Sequence, residues 1–149
     1  MTKPATSIEA IATHCIAGRL RLLNRVVTNL YDDALRPLGM RLSQGNVLAV
    51  TATLGVARPA QVCEFLELDT STLSRTVDRM VANGWLEIVP DEDGRSQPFR
   101  LTAEGRRLLE RALPAWEQAQ AQAKKLLGDD GLRLLDAAIG RVKSAHAGA

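Results

Sequence analysis

Apolar residues recur at helical spacing along almost the whole chain, and only one short stretch alternates. Ile8, Ile11, Cys15, Leu22, Val26 and Leu30 mark a first stripe, widened by Ile16, Leu20, Leu23 and Val27. They predict a long helix over residues 7–36, capped by Ser7, preceded by a frayed tail and stopped by Pro37 and Gly39. Ser43 is placed to cap a second helix, with Leu42 and Val47 as a hydrophobic staple and Gly55 at its end. Pro59 suits the first turn of a third, because its missing N–H has no partner there anyway. Val62, Phe65 and Leu66 share one face of it, before a turn at Glu67 and Leu68. Asp69 can then accept the Thr72 N–H and cap a fourth helix, whose Leu73, Val77, Met80 and Val81 form a buried stripe. Asn83-Gly84 closes it, since glycine tolerates a left-handed cap. Leu86-Glu87-Ile88-Val89 alternates as a half-buried strand, Phe99-Arg100-Leu101 forms its partner, and a polar loop over residues 90–96 joins them. Thr102 caps another long helix with Leu108, Leu109, Ala112, Leu113, Trp116 and Ala119 at helical spacing, bent at Pro114. Gly128-Asp129-Asp130 breaks the chain and caps a last helix, which would bury Leu132, Leu135, Ile139 and Val142.

The pattern is mainly α with a small β-hairpin: a winged helix-turn-helix over residues 43–101, flanked by long helices over 7–36 and 102–146 in one domain of 149 residues. The fourth helix carries Thr70, Ser71, Thr72, Ser74, Arg75, Asp78 and Arg79 away from its apolar stripe. Such a helix fits a DNA major groove, with Ser71, Thr72 and Ser74 placed for base edges or phosphates and Arg75 for a bidentate guanine contact. Arg79, further along, is placed for a phosphate. Arg95 at the hairpin tip can reach a minor groove.

These residues resemble the MarR family of bacterial regulators. The resemblance rests on residues 69–84 together with Asp93-Gly94-Arg95 and Leu101-Thr102-x-x-Gly105, and it extends over nearly the whole chain. Glu67 departs from it, since the family often has glycine in that turn. The resemblance implies that Asp93 orients Arg95, and that a small aromatic acid or lipophilic effector relieves repression. One branch of the family senses organic peroxides through a cysteine on the first helix. Alignment through Tyr31 and Gln44 puts that cysteine at Ala17, so Cys15 is expected to be a buried packing residue.

Composition narrows the alternatives. Apolar content of 46% and charged content of 24% are those of a soluble globular chain. No run approaches the ~20 apolar residues of a membrane span, and no signal-peptide layout opens the chain, so the expected compartment is the cytoplasm. Cys15 and Cys63 form neither a metal-ligand spacing nor a disulfide framework, and no metal or cofactor is expected. No glycine-rich phosphate loop, nucleophile elbow or carboxylate pair suggests catalysis, so no catalytic residue is assigned. Net charge is only +2, and residues 58–101 hold five Arg against eight Asp or Glu. That count favours a rival reading, a winged domain that binds protein and has no DNA target; the positions of Arg75, Arg79 and Arg95 favour DNA. The terminal helices carry more apolar surface than the winged module can cover. A two-fold homodimer covers it, and sets two recognition helices about 34 Å apart to read a pseudo-palindromic operator.

Overall fold

A computed structural model of the chain describes residues 7–148, so the tail expected over residues 1–6 lies outside the described residues. The elements run α1 (Ser7–His14), α2 (Ile16–Leu35), a short 3-10 turn (Arg36–Leu38), α3 (Leu42–Leu54), α4 (Pro59–Leu66), α5 (Thr70–Ala82), β1 (Leu86–Ile88), β2 (Phe99–Leu101) and α6 (Ala103–Ala147). The fold is mostly helical with one small antiparallel hairpin. Two compact units divide it, residues 32–118 on one side and residues up to 31 with residues from 119 on the other.

The unit of residues 32–118 holds the main core. Val62, Leu73, Met80, Leu86 and Phe99 are almost wholly buried there, with Leu48 of α3 behind them. The hairpin register pairs Leu86 with Leu101, Glu87 with Arg100 and Ile88 with Phe99. Ala57 adds a short third rung, its amide donating to Phe99 at 2.8 Å and its carbonyl accepting from Phe99 at 3.0 Å. Strands this short persist because Leu86 and Phe99 anchor them in the core.

Several local expectations change. The first helix is interrupted at Cys15, whose carbonyl accepts the Arg19 amide at 3.1 Å and so starts α2. Cys15 is exposed, not packed, because among the described residues no side chain buries this face of the α1–α2 stretch, where Ile11 and Ile16 are exposed too. Ser43 does not cap α3. That helix begins two residues earlier than a Ser43 cap would place it, at Leu42 with Arg41 as N-cap; Asp32 Oδ1 accepts the Leu42 amide at 2.7 Å and Gln44 Oε1 the Arg41 amide at 3.0 Å. Phe65 is 70% exposed. The inner face of α4 centres on Val62, Cys63 and Leu66, and about 100° per residue carries Phe65 outside it. Gly128 has φ +67° and ψ 167°, breaking α6 where expected, and Asp130 forms an ion pair with Arg133 just beyond.

In the other unit, Ala119 and Ala123 are buried, and Tyr31 donates its hydroxyl to Gln120. Burial pushes the Tyr31 phenol upward, since the phenolate would be poorly solvated there. Most large aliphatic residues of this unit face outward, among them Ile8, Ile16 and Leu134.

Candidate nucleic-acid interface

The helix-turn-helix geometry depends on how α4 ends. Glu67 adopts φ +52°, ψ +47°, the one non-glycine residue with positive φ among the described residues. The Leu68 amide reaches back to the Cys63 carbonyl at 3.0 Å, closing the helix as a left-handed cap. The chain turns sharply and Asp69 starts α5. Its Oδ1 accepts the Thr72 amide at 2.8 Å and the Ser71 hydroxyl at 2.7 Å; its Oδ2 accepts the Thr72 hydroxyl at 2.7 Å. The Ser71 hydroxyl first, then the Thr72 hydroxyl and amide, hold the Asp69 carboxyl far below the usual carboxylate range. Asp69 therefore stays ionised and fixes the first turn.

From that start, Leu73, Val77 and Met80 enter the core and the opposite face meets solvent. Thr70, Ser71, Ser74, Arg75 and Arg79 are all exposed on α5, while Thr72 is half-buried. Ser71 and Thr72 each donate their hydroxyl proton to Asp69, so outward they offer only lone pairs. Thr70 and Ser74 hydroxyls and both arginines have no side-chain partner among the described residues. Gly84, at φ +77°, ends the helix as expected, the Trp85 amide returning to the Met80 carbonyl at 2.9 Å.

The hairpin places the other two predicted residues. Arg95 and Asp93 lie at its tip, 3.9 Å apart and strongly exposed, with Gly94 turning between them at φ +61°. Three residues behind the tip escaped the sequence reading. Arg58 Nη1 donates to the Ser96 hydroxyl at 2.8 Å and pairs with Asp91 Oδ2 at 3.3 Å, while Ser96 donates to the same oxygen at 3.0 Å. Those bonds, Arg58's first, draw the Asp91 carboxyl below its ordinary range. The one available signal was position: an arginine stands before the helix-opening Pro59, where a short capping side chain is usual. A crevice of about 120 Å³ lies between α5 and the hairpin, edged by Thr70, Ser74, Asp78, Ile88 and Gln97.

A second cavity, about 420 Å³, opens within the same unit beside α3 and α6. Leu35, Met40, Leu109, Leu113 and Trp116 are among the large apolar residues that line it, and Glu110 is its one charged lining residue. Among the described residues no group of His, Cys, Asp or Glu is arranged to hold a metal ion, and no helix is long and apolar enough to cross a membrane.

Comparison with known proteins agrees with this geometry. A family model described as the MarR family matches residues 38–96. The multiple antibiotic resistance protein MarR of Salmonella typhimurium is 29% identical over 117 residues, covering 76% of this chain and 81% of that protein. The HTH-type transcriptional regulator PecS of Dickeya dadantii is 25% identical over 132 residues, covering 86% and 80%. Among solved structures, the Mycobacterium tuberculosis regulator MOSR in complex with DNA superposes with a TM-score of 0.77 at 28% identity, over 89% of this chain and 98% of that one. A cysteine-to-serine mutant of Escherichia coli MarR bound to operator DNA gives a TM-score of 0.79 at 22% identity, over 89% and 96%; at that identity it speaks for the fold alone.

Proposed function

The chain belongs to the MarR family, and from that premise we propose that it is a DNA-binding transcriptional regulator that reads a pseudo-palindromic operator as a homodimer. One observation carries the reading. The outer face of α5 presents Ser71, Ser74, Arg75 and Arg79 to solvent, and neither arginine is neutralised by an ion pair among the described residues. Two unpaired arginines on the exposed face of a rigidly capped helix, with a further arginine, Arg95, at the hairpin tip, match a phosphate-lined groove. In this reading α5 enters the major groove, with Arg75 on a guanine edge and Arg79 on phosphate, while Arg95, oriented by Asp93, reaches the minor groove. MOSR, 28% identical, was solved in complex with DNA, which supports a DNA-binding role for this chain.

The apolar cavity beside α3 and α6 supports effector control, with repression relieved by ligand. Its wall selects a lipophilic molecule. Because its one charged lining residue is Glu110, a neutral or cationic compound fits better than an aromatic acid.

Selection of duplexes from a randomised library by the full-length protein, followed by mobility shift, tests the reading. A two-fold-symmetric consensus is expected. If no duplex is enriched or shifted, the DNA reading fails and the acidic balance of residues 58–101 favours a protein-binding role.

A further inference from the structure

Among the described residues, the side chain from outside the hairpin that hydrogen-bonds the loop carrying Arg95 is that of Arg58. Arg58 sits on a backbone held from both sides. Ala57 before it is bonded in both directions to Phe99, its own amide donates to Gln61 Oε1 at 3.0 Å, and Pro59 after it has a ring-locked φ. From this fixed base its guanidinium reaches Asp91 on the outgoing arm of the loop and Ser96 on the returning arm. Ser96 closes the triangle by donating to Asp91. Beyond it lie only residues 92–95. The Gly94 amide donates to the Asp91 carbonyl at 3.2 Å, the Asp93 backbone amide bonds the Asp91 carboxylate, and Asp93 and Arg95 form a loose pair. The Asp91 side chain is only 13% exposed, against 53% for Arg58, so the acceptor is well sheltered although the cation is not.

We infer that Arg58 is a positioning residue for DNA binding: by clamping both arms of the hairpin loop to the start of α4, it fixes the reach and direction of Arg95 relative to α5. This rests on the DNA-binding reading above. Its physical content is pre-organisation. An untethered tip of this kind must be ordered when the protein binds, and a clamped one has met that cost in the free protein. The main competitor is that Arg58, half exposed, touches a phosphate directly. The two differ in sign at Asp91. If Arg58 is a phosphate ligand, removing the neighbouring carboxylate strengthens binding by lowering repulsion; if it is a clamp, removing Asp91 weakens binding although a negative charge has gone.

The experiment measures anisotropy of a duplex selected by the wild-type protein. Arg58→Met, Asp91→Ala, Ser96→Ala and Arg95→Ala are compared singly, and the Arg58→Met and Arg95→Ala changes are also combined. Arg58→Met and Asp91→Ala are each expected to weaken binding about fivefold, with Ser96→Ala in the same direction. Arg95→Ala should cost much less once Arg58 is already replaced, since the two act through one element. Melting temperatures check folding, and Ser96→Ala with Asp91→Ala carry the test if Arg58→Met does not fold. Tighter binding by Asp91→Ala, or strictly additive losses for Arg58→Met and Arg95→Ala, overturns the clamp. Unchanged affinity in all the clamp variants overturns it too. A wild-type protein that selects no duplex overturns the DNA reading itself, and the clamp's role with it.

Discussion

Arg75 and Arg79 stand one turn apart on the exposed face of α5, yet they are suited to different work. Arg75 lies nearer the amino end of the helix, the end that approaches base edges, and Arg79 lies where the helix passes the backbone. Arg75→Ala should therefore cost about 1–3 kcal/mol on the selected site and flatten preference at one base pair. Arg79→Ala and Arg95→Ala should weaken all sequences more evenly. Anisotropy across single-base variants of the site distinguishes these patterns; an even loss for Arg75→Ala would remove its assigned role. Asp69 makes a prediction of another kind. Its carboxyl is depressed by the Ser71 and Thr72 hydroxyls and the Thr72 amide, so the folded state binds its proton less readily than the unfolded one. The stabilisation is complete above the unfolded value near about 4 and fades as pH falls toward the lower folded value. Asp69→Asn keeps an oxygen for the Thr72 amide but cannot titrate. Melting curves of wild type and Asp69→Asn should separate above roughly pH 4 and converge in stronger acid. Parallel curves would show that the carboxylate contributes no pH-dependent stability.

The join between β2 and α6 depends on Gly105. Thr102 caps α6 by accepting the Gly105 amide at 3.0 Å, and its hydroxyl donates to the Gly84 carbonyl at 2.6 Å. A Cβ on Gly105 would lie 2.0 Å from the Trp85 carbonyl oxygen, a backbone atom. Gly105→Ala must push α6 away from the end of α5, and a loss of at least about 2–3 kcal/mol is expected in denaturant melts. Glu67 gives the opposite case. At φ +52° it occupies a region that costs L-residues roughly 1–2 kcal/mol, offset for glycine by about 0.5–1 kcal/mol of extra chain entropy. Glu67→Gly should thus stabilise the protein slightly, and a lower melting temperature would show that the Glu67 side chain contributes something further. Both positions were legible in the sequence: Leu101-Thr102-x-x-Gly105 as a motif, and Glu67 as the residue standing where glycine is usual. The Asp69 cap, the buried stripe of α5, the two strands and the break at Gly128 were legible too, because each follows from local chemistry or short periodicity. What could not be read there depends on distant partners. Asp32 caps α3 across ten residues, and Arg58 holds a loop more than thirty residues away. Periodicity also failed where an element is too short to average over, as with Phe65 on the eight residues of α4.

The largest unmet demand in the structure is apolar. Ile8 is 80% exposed, Ile16 73% and Leu134 69%, and Ile11, Leu20, Leu22, Ile139 and Val142 in the same unit are exposed as well. So many large apolar side chains exposed in one unit are unusual for a monomer, whose largest apolar patch is ordinarily about 300–600 Å². They belong to one unit, whereas the proposed DNA-contacting residues and the main buried core belong to the unit of residues 32–118. A second copy of the chain is the economical cover, since an isologous interface buries the same face twice and generates the two-fold axis a palindrome requires. Cys15, exposed in the chain, lies on the α1–α2 stretch that such an interface would enclose. Sedimentation at low micromolar concentration should therefore give a species of twice the 16.2 kDa chain mass. Ile16→Glu tests the cause as well as the state. Burying a carboxylate at the interface should shift the protein toward monomer while leaving the melting of the unit of residues 32–118 nearly unchanged. The same variant should lose most of its affinity for a full palindrome but little for a single half-site, because two linked contacts become one. A wild-type monomer at that concentration would sink the dimer. A dimer unaffected by Ile16→Glu would move the interface away from the α1–α2 face.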